Sequence, residues 1–236
     1  MLSVCILTHE GDFHFVEGLH QTLPEWCEVI TVITKKQDLL EDRGLVTAPR
    51  LYNIKQEGRF KMATYLYSGV FNFAEARNKA MSLASNDWIL HLDPDERIMP
   101  WQHDYLEQLI KHGNNNQTIG GFINRSYSLI AGDKDENGFM AYEVLQQVRL
   151  HRKDERYKFQ NAIHESVEES ITTSERFIHD SQLFIHHLGY EIPKEKLQAK
   201  VERNIDTLLS DPQQLRQERG RKILNELYFL KNKLEK

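Results

Sequence analysis

Three carboxylates fall within four residues at Asp93-Pro94-Asp95-Glu96, directly after the apolar run Trp88-Ile89-Leu90-His91-Leu92. At that spacing they repel one another unless a cation or a basic side chain sits among them. Carboxylate oxygens with bound water are what Mg²⁺ or Mn²⁺ accepts when it also holds a diphosphate. A solvated acidic turn would use the same residues. The apolar run favours the metal, because open α/β sheets bind ligands at the carboxyl ends of their strands. Arg77-Asn78 stands just before, in a segment of helical spacing. A forked guanidinium in the first turns of a helix suits a phosphate, although pairing with Glu75 or Asp87 would equally occupy it.

Further along, His164-Glu165 begins a zinc-protease pattern that fails, since the fifth residue is Glu168 rather than His. Glu165 remains a general base if its pocket is apolar enough, and an ordinary surface carboxylate otherwise. Asp133 to Gly138 matches the first half of a calcium loop, but the twelfth position is Val144 and the flanks read as strands. We read it as a hairpin loop without calcium. His179, His186 and His187 crowd one region of a chain with 11 histidines, without further Cys or His at zinc spacing. One of them could complete a metal shell begun by Asp95. No nucleophile elbow, Gly-rich phosphate loop or dinucleotide fingerprint is present, which disfavours the usual hydride transfer and ATP hydrolysis.

The elements that must position these residues follow from hydrophobic period. Leu2–Thr8 and Glu28–Thr34 read as strands around a helix carrying Phe15, Leu19 and Leu23, the start of an α/β sheet. Residues 35–70 suggest an irregular connection with a short strand near Leu51–Ile54. Asn72 and Glu75 form a capping-box pattern, with Asn in the Ser/Thr place. The helix they open should run to about Ala84 and bury Phe73, Ala76, Ala80, Met81 and Ala84. A buried strand at Trp88–Leu92 must stop at Pro94. A helix is expected from about Trp101 to His112, then strands at Gly121–Ile130 and Val144–Arg152 around a polar loop. From Lys194 the apolar residues return to helical spacing, interrupted at Asp211-Pro212.

Composition sets the class. The 236 residues are 40% hydrophobic and 28% charged, with net charge −5, enough for one well-buried α/β domain. Three Trp, nine Tyr and eleven Phe can build a core, so a folded chain is expected. No apolar run reaches the roughly 18 residues of a membrane span. The first residues read as a strand rather than a leader, and two cysteines, Cys5 and Cys27, suit a reducing cytoplasm. Mild acidity argues against a nucleic-acid coat protein. Lys194 to Lys236 holds 11 Lys and Arg against 7 Asp and Glu, a net of +4 that leaves −9 for the first 193 residues. That basic tail is either a solvated helix face or a contact for phosphate-rich partners.

Together these segments resemble the family 2 inverting glycosyltransferases of the GT-A fold, closest to the bacterial branch acting on cell-envelope glycans or peptides. Four blocks in order carry the likeness: Val4 to Glu10; Phe71 to Asn78 with Asp87 to Glu96; Arg149 to Arg152 with Ile163 to Glu165; and Ile185 to Tyr190 with Arg203-Asn204. The resemblance implies a mixed, mainly parallel α/β sheet flanked by helices, with a catalytic domain over residues 1–190 and a helical extension over 191–236 packed on it. It implies that Thr8 and Glu10 line the base and ribose pocket and that Arg77 approaches the nucleotide. Asp93 would contact ribose or the metal's water shell. Asp95 would bind Mn²⁺ or Mg²⁺, with His187 as a further ligand or diphosphate contact. Glu165 would deprotonate the acceptor, and Arg203 would neutralise the leaving diphosphate. The Asp-rich turn expected after the second strand is Thr34-Lys35-Lys36-Gln37-Asp38 here, where Asp38 is a weak substitute; the Asp expected before the helix is absent from Val70-Phe71-Asn72.

The implied function is transfer of a sugar from a nucleotide-diphospho-sugar, a UDP-sugar first, to a hydroxyl on a glycan, lipid-linked glycan, peptide or modified DNA base. A cytoplasmic enzyme is expected, with the basic tail allowing peripheral contact with an anionic membrane. Two other classes compete: a non-catalytic partner module of the same fold, and a sugar nucleotidylyltransferase. The latter would need a Gly-rich, Arg-containing loop that Thr8-His9-Glu10-Gly11-Asp12 does not supply.

Overall fold

The computed structural model describes residues 1–37, 48–134, 140–188 and 194–234. Asp38, the tip of the loop after Asp133, and Gly189-Tyr190 lie outside the described residues. The chain begins β1 (Leu2–His9), α1 (Phe13–Thr22), β2 (Glu28–Lys36), β3 (Arg50–Glu57), β4 (Phe60–Tyr67), α2 (Phe73–Ser82) and β5 (Trp88–Leu92). It continues through β6 (Glu96–Arg97), α3 (His103–Asn115), β7 (Ile119–Lys134), β8 (Met140–Arg152), α4 (Glu168–Thr172) and β9 (Phe177–His187). Three helices close it: α5 (Lys194–Leu209), α6 (Pro212–Arg216) and α7 (Glu218–Leu234). The described strands form one mixed sheet in the order β3-β4-β2-β1-β5-β8-β7-β9-β6. Its heart is the parallel run β4-β2-β1-β5.

The central strands are apolar at nearly every position because both faces are covered, as parallel sheets require. Leu2, Val4 and Ile6 of β1 and Trp88, Leu90 and Leu92 of β5 pack with α1 and α3. The alternate residues Cys5, Leu7 and Ile89 pack on the other side with Ala74, Ala76, Ala80 and Met81 of α2. The period of two therefore assigns Ile89, His91 and then Asp93 to the α2 side, where Arg77 stands. A third, smaller cluster joins Ile163 to Leu208 and Ile223, with Leu215, Leu224 and Leu227 against it.

Several boundaries differ from the sequence expectation, each for a packing reason. The short strand expected near Leu51–Ile54 lies within β3, but it is one arm of a hairpin rather than part of an irregular connection: Gly58 turns the chain at φ +55°, and β4 lies parallel to β2 with Ala63 and Tyr65 inward. β9 was not expected either, because only Leu183 and Ile185 of its second half carry an inward pattern. α3 runs past the expected His112 to Asn115, and Asn114 Oδ1 accepts the Trp88 indole N–H at 2.8 Å. The α2 and β5 expectations hold: Asn72 Oδ1 accepts the Glu75 N–H at 3.0 Å, and the strand spans Trp88–Leu92.

Candidate active site

The turn after β5 takes the three carboxylates in three directions. Glu96 is buried: one oxygen accepts the Asp93 N–H at 2.8 Å, and the other accepts Arg149 Nη2 at 2.7 Å. It locks the turn from within. Asp93 faces α2, with Oδ1 accepting Arg77 Nη2 at 2.7 Å and Oδ2 accepting Arg149 Nη2 at 3.1 Å. Asp95 turns to β9, where Oδ2 lies 3.2 Å from His187 Nε2. β6 pairs Glu96 with His187 in register, which is what brings that imidazole to the acidic turn.

Arg77 is the bridge of the site. Its Nε donates to Glu165 Oε1 at 2.5 Å, so one guanidinium ties the acidic turn to the loop of residues 160–166. Its Nη1 is buried and has no partner among the described residues. The neighbouring Asn78 exchanges two hydrogen bonds with the Phe159 backbone, at 3.0 and 2.8 Å, and so fixes the start of the same loop. A helix that places Arg77 and Asn78 on its inner face thus contacts both the acidic turn and the loop of residues 160–166.

Arg149 owes its direction to a β-bulge. Phe122 pairs with Leu150 and Ile123 with Val148, leaving Arg149 as the extra residue. Asn124 Oδ1 accepts the Arg149 and Leu150 N–H groups, each at 3.0 Å, and holds the bulge. From the sequence alone Arg149 has no assigned role. No local signal marks Asn124, because Arg125, Ser126 and Ser128 beside it in β7 are polar too.

Electrostatics follow from burial and these pairings. Burial alone would raise Asp93, but the Arg149 and Arg77 charges outweigh it and hold the carboxyl well below the usual range. Burial pushes Glu96 up to about 7, with the Asp93 charge adding to the rise against the pull of Arg149. For His187 burial opposes the charge, while the Asp95 hydrogen bond and the surrounding carboxylates win and raise its pKa. Behind the turn, the buried rings of His91 and His151 stack with Nε2 atoms 3.1 Å apart. His151 Nδ1 donates to the Arg152 carbonyl at 2.7 Å, so its Nε2 accepts from His91 and both rings are neutral. Burial drives both pKa values down, His151 to about 4.

The remaining expected residues lie around this cluster. Thr8 is buried at the end of β1, its hydroxyl on the His9 carbonyl at 3.2 Å, and Glu10 is exposed in the turn beyond, 3.7 Å from Lys35. Arg203 of α5 lies over the Phe73 ring at 5.3 Å. Burial lowers its pKa against the charges of Tyr67 and Asp12. No hydrogen bond or ion pair among the described residues joins Thr8, Glu10 or Arg203 to the Asp93 cluster. The structure separates the three crowded histidines: His187 meets Asp95, His186 pairs with Arg97 across β6 and β9, and His179 faces His112.

Asp93, Asp95 and Glu165 meet the buried guanidiniums of Arg77 and Arg149, while burial pushes Glu96 up to about 7 and the carboxylates raise His187, so the charges of the cluster come close to balance. Asp95 Oδ2 and His187 Nε2, 3.2 Å apart, match the separation of about 3 Å between adjacent corners of an octahedral shell. Among the described residues no group of three or more His, Cys, Asp or Glu forms a ready cage. The donor set therefore fits an ion that takes two protein ligands and draws the others from a bound diphosphate and water, the habit of Mg²⁺ and Mn²⁺.

The chain is similar in fold to S. aureus TarS 1–349 in complex with UDP-GlcNAc, at 13% identity and a TM-score of 0.50, covering 96% of this chain and 71% of that one. A second TarS structure matches at 14% identity with TM-score 0.49 over 42% of its length, and HddC from Yersinia pseudotuberculosis at 12% with TM-score 0.41. No protein-family model matches the chain, and no curated protein matches it by sequence. The first likeness and the sheet topology define the class: an α/β, GT-A nucleotide-diphospho-sugar transferase fold.

Proposed function

We propose that this protein is a metal-dependent inverting glycosyltransferase using a nucleotide-diphospho-sugar, a UDP-sugar first, and related in mechanism to family 2. One observation carries the reading: Arg77 joins the acidic turn bearing Asp93 and Asp95 to the loop bearing Glu165, so the groups proposed for the leaving-group side and for the base lie on the two sides of one guanidinium. Glu165 Oε1 is held by Arg77, while Oε2 takes part in none of the hydrogen bonds among the described residues. That oxygen accepts the proton of the acceptor hydroxyl. The freed oxygen attacks the anomeric carbon, the bond from that carbon to the diphosphate oxygen breaks, and the diphosphate leaves with the electron pair. A single base with in-line attack inverts the anomeric centre.

Asp95 and His187 would hold the divalent ion, which when bound neutralises the charge developing on the diphosphate. The 3.2 Å separation of Asp95 Oδ2 and His187 Nε2 supports metal dependence. Asp93, with each oxygen already on an arginine, keeps lone pairs for ribose hydroxyls. Thr8 and Glu10 would frame the base and ribose, and Arg203 would meet the diphosphate from α5. The acceptor is a hydroxyl on a glycan, lipid-linked glycan, peptide or modified DNA base. No described helix is long and apolar enough to cross a membrane.

Calorimetry with UDP, GDP and CMP, with and without Mn²⁺, tests the reading. Mn²⁺-dependent binding of UDP, weakened at least tenfold in Asp95→Ala, is expected. A folded wild type that binds none of the three overturns it.

A further inference from the structure

The geometry points to Gln214 and Asp211, on the short helix α6, as positioning residues for Glu165; this rests on the base role proposed above. The loop from Gln160 to Ser166 is pinched at its foot by two backbone hydrogen bonds between those residues, at 3.0 and 3.2 Å. Within it, Asn161 and His164 sit at φ +71° and +52°. A histidine in the left-handed region is uncommon, and such strain persists only where the surroundings fix it. The surroundings are α6. Asp211 Oδ1 caps that helix, accepting the Gln213 and Gln214 N–H groups at 3.1 and 3.0 Å, while Oδ2 accepts the Ala162 N–H at 3.2 Å. Gln214, 3% exposed, grips the next residue at both ends: Oε1 accepts the Ile163 N–H at 3.3 Å, and Nε2 donates to the Ile163 carbonyl at 2.7 Å.

From the other side, the Phe73 N–H at the start of α2 donates to the Ala162 carbonyl at 3.1 Å. The loop is therefore clamped between the helix that carries Arg77 and the helices after residue 210. Ile163 also buries its side chain against Leu208 and Ile223. Gly220 of α7 packs directly on the Gln214 carbonyl, where a Cβ would overlap it, so α7 sets the height of α6. Glu165 follows immediately after these fixed residues, and its reach to Arg77 Nε depends on their placement. A residue two positions from a clamped backbone is displaced whenever the clamp is released, and misplacement of a base by an ångström is enough to slow proton transfer.

Gln214→Leu removes both hydrogen bonds at similar volume. Amide hydrogen exchange over residues 159–167 should accelerate at least tenfold, while β1 and β5 keep their protection. kcat for sugar transfer should fall at least tenfold, with the UDP Kd unchanged within twofold. Gln214→Glu gives a second reading: its carboxylate still accepts from Ile163 N–H but repels the Ile163 carbonyl until it is protonated. Its kcat relative to wild type at the same pH should therefore climb as pH falls. Unchanged kcat in Gln214→Leu overturns the proposal, as does a flat pH ratio in Gln214→Glu. A joint loss of kcat, UDP affinity and β5 protection overturns it too, because that pattern marks general loosening. Glu165→Gln is measured beside them. If it transfers sugar as well as wild type, the base assignment itself fails, whatever the exchange data show for the clamp.

Discussion

Asp93 illustrates what a single side chain does here, with one arginine on each oxygen and only its remaining lone pairs left for a ligand. Arg149 serves both Asp93 and the buried Glu96. Replacing it with methionine leaves a buried carboxylate without its cation, which typically costs about 3–5 kcal/mol. Arg149→Met should thus lower the midpoint of urea unfolding strongly, and a double change with Glu96→Gln should recover part of the loss. Equal losses in the single and double variants would count against the pairing. Glu165→Gln should keep UDP binding while sugar transfer drops about 10²–10⁴-fold, the usual worth of a general base; product anomers read by NMR then report inversion. At this scale the sequence was informative where chemistry is local. Asp93, Asp95 and Arg77 were named from their types and spacing. Arg149, Asn78 and Gln214 went without roles because each acts on a residue far away in the chain, and nothing in its own neighbourhood reveals the partner.

Elements obey the same division. α2 was readable because its cap, Asn72 with the Glu75 N–H, is local, and β5 because a fully buried strand is continuously apolar. β4 and β9 owe their places to neighbouring strands. α3 rests on Trp88 through Gly113, where a Cβ would overlap the indole ring. Gly113→Ala should destabilise the fold by about 1–3 kcal/mol through overpacking, despite the better helix propensity of alanine. A raised melting temperature in that variant would refute the close approach. At the opposite end of the strands from the acidic turn, Glu28 on β2 accepts from Ser3 Oγ at 2.5 Å and the Ser85 N–H at 2.9 Å, and pairs with Lys61 Nζ at 2.6 Å. Burial opposes its charge, yet these partners lower its pKa from 4.5 to about 2. The folded pKa lies below the unfolded one, so its contribution is complete above pH 4.5 and is lost as the pH falls towards 2. Glu28→Gln should therefore be less stable than wild type at pH 7, by about 1–3 kcal/mol, with the gap narrowing over that acidic window. A gap independent of pH would mean that the charge is not what matters.

For the molecule as a whole, the buried neutral pair His91 and His151 sets the acid limit. The His151 pKa is lowered to about 4 by burial, so below pH 6.5 the unfolded chain binds a proton that the folded one refuses. Stability is then full above pH 6.5 and declines towards pH 4, by up to about 3 kcal/mol from this ring alone. Urea unfolding at pH 7.0, 5.5 and 4.5 should show that decline, and His151→Gln should flatten it; parallel curves for the two chains would remove the pair from the account. The α/β class, the strand–helix–strand opening, the acidic turn at a strand end and the helical return after Lys194 were all determined by the sequence by itself. They depend on period, capping and proline, which act within a few residues. Only the tertiary structure decided that Glu96 turns inward, that His187 rather than His186 meets Asp95, and that α6 grips the loop of Glu165. Those outcomes depend on strand register, on one bulge and on packing between segments up to about ninety residues apart, and no local pattern encodes such a distance.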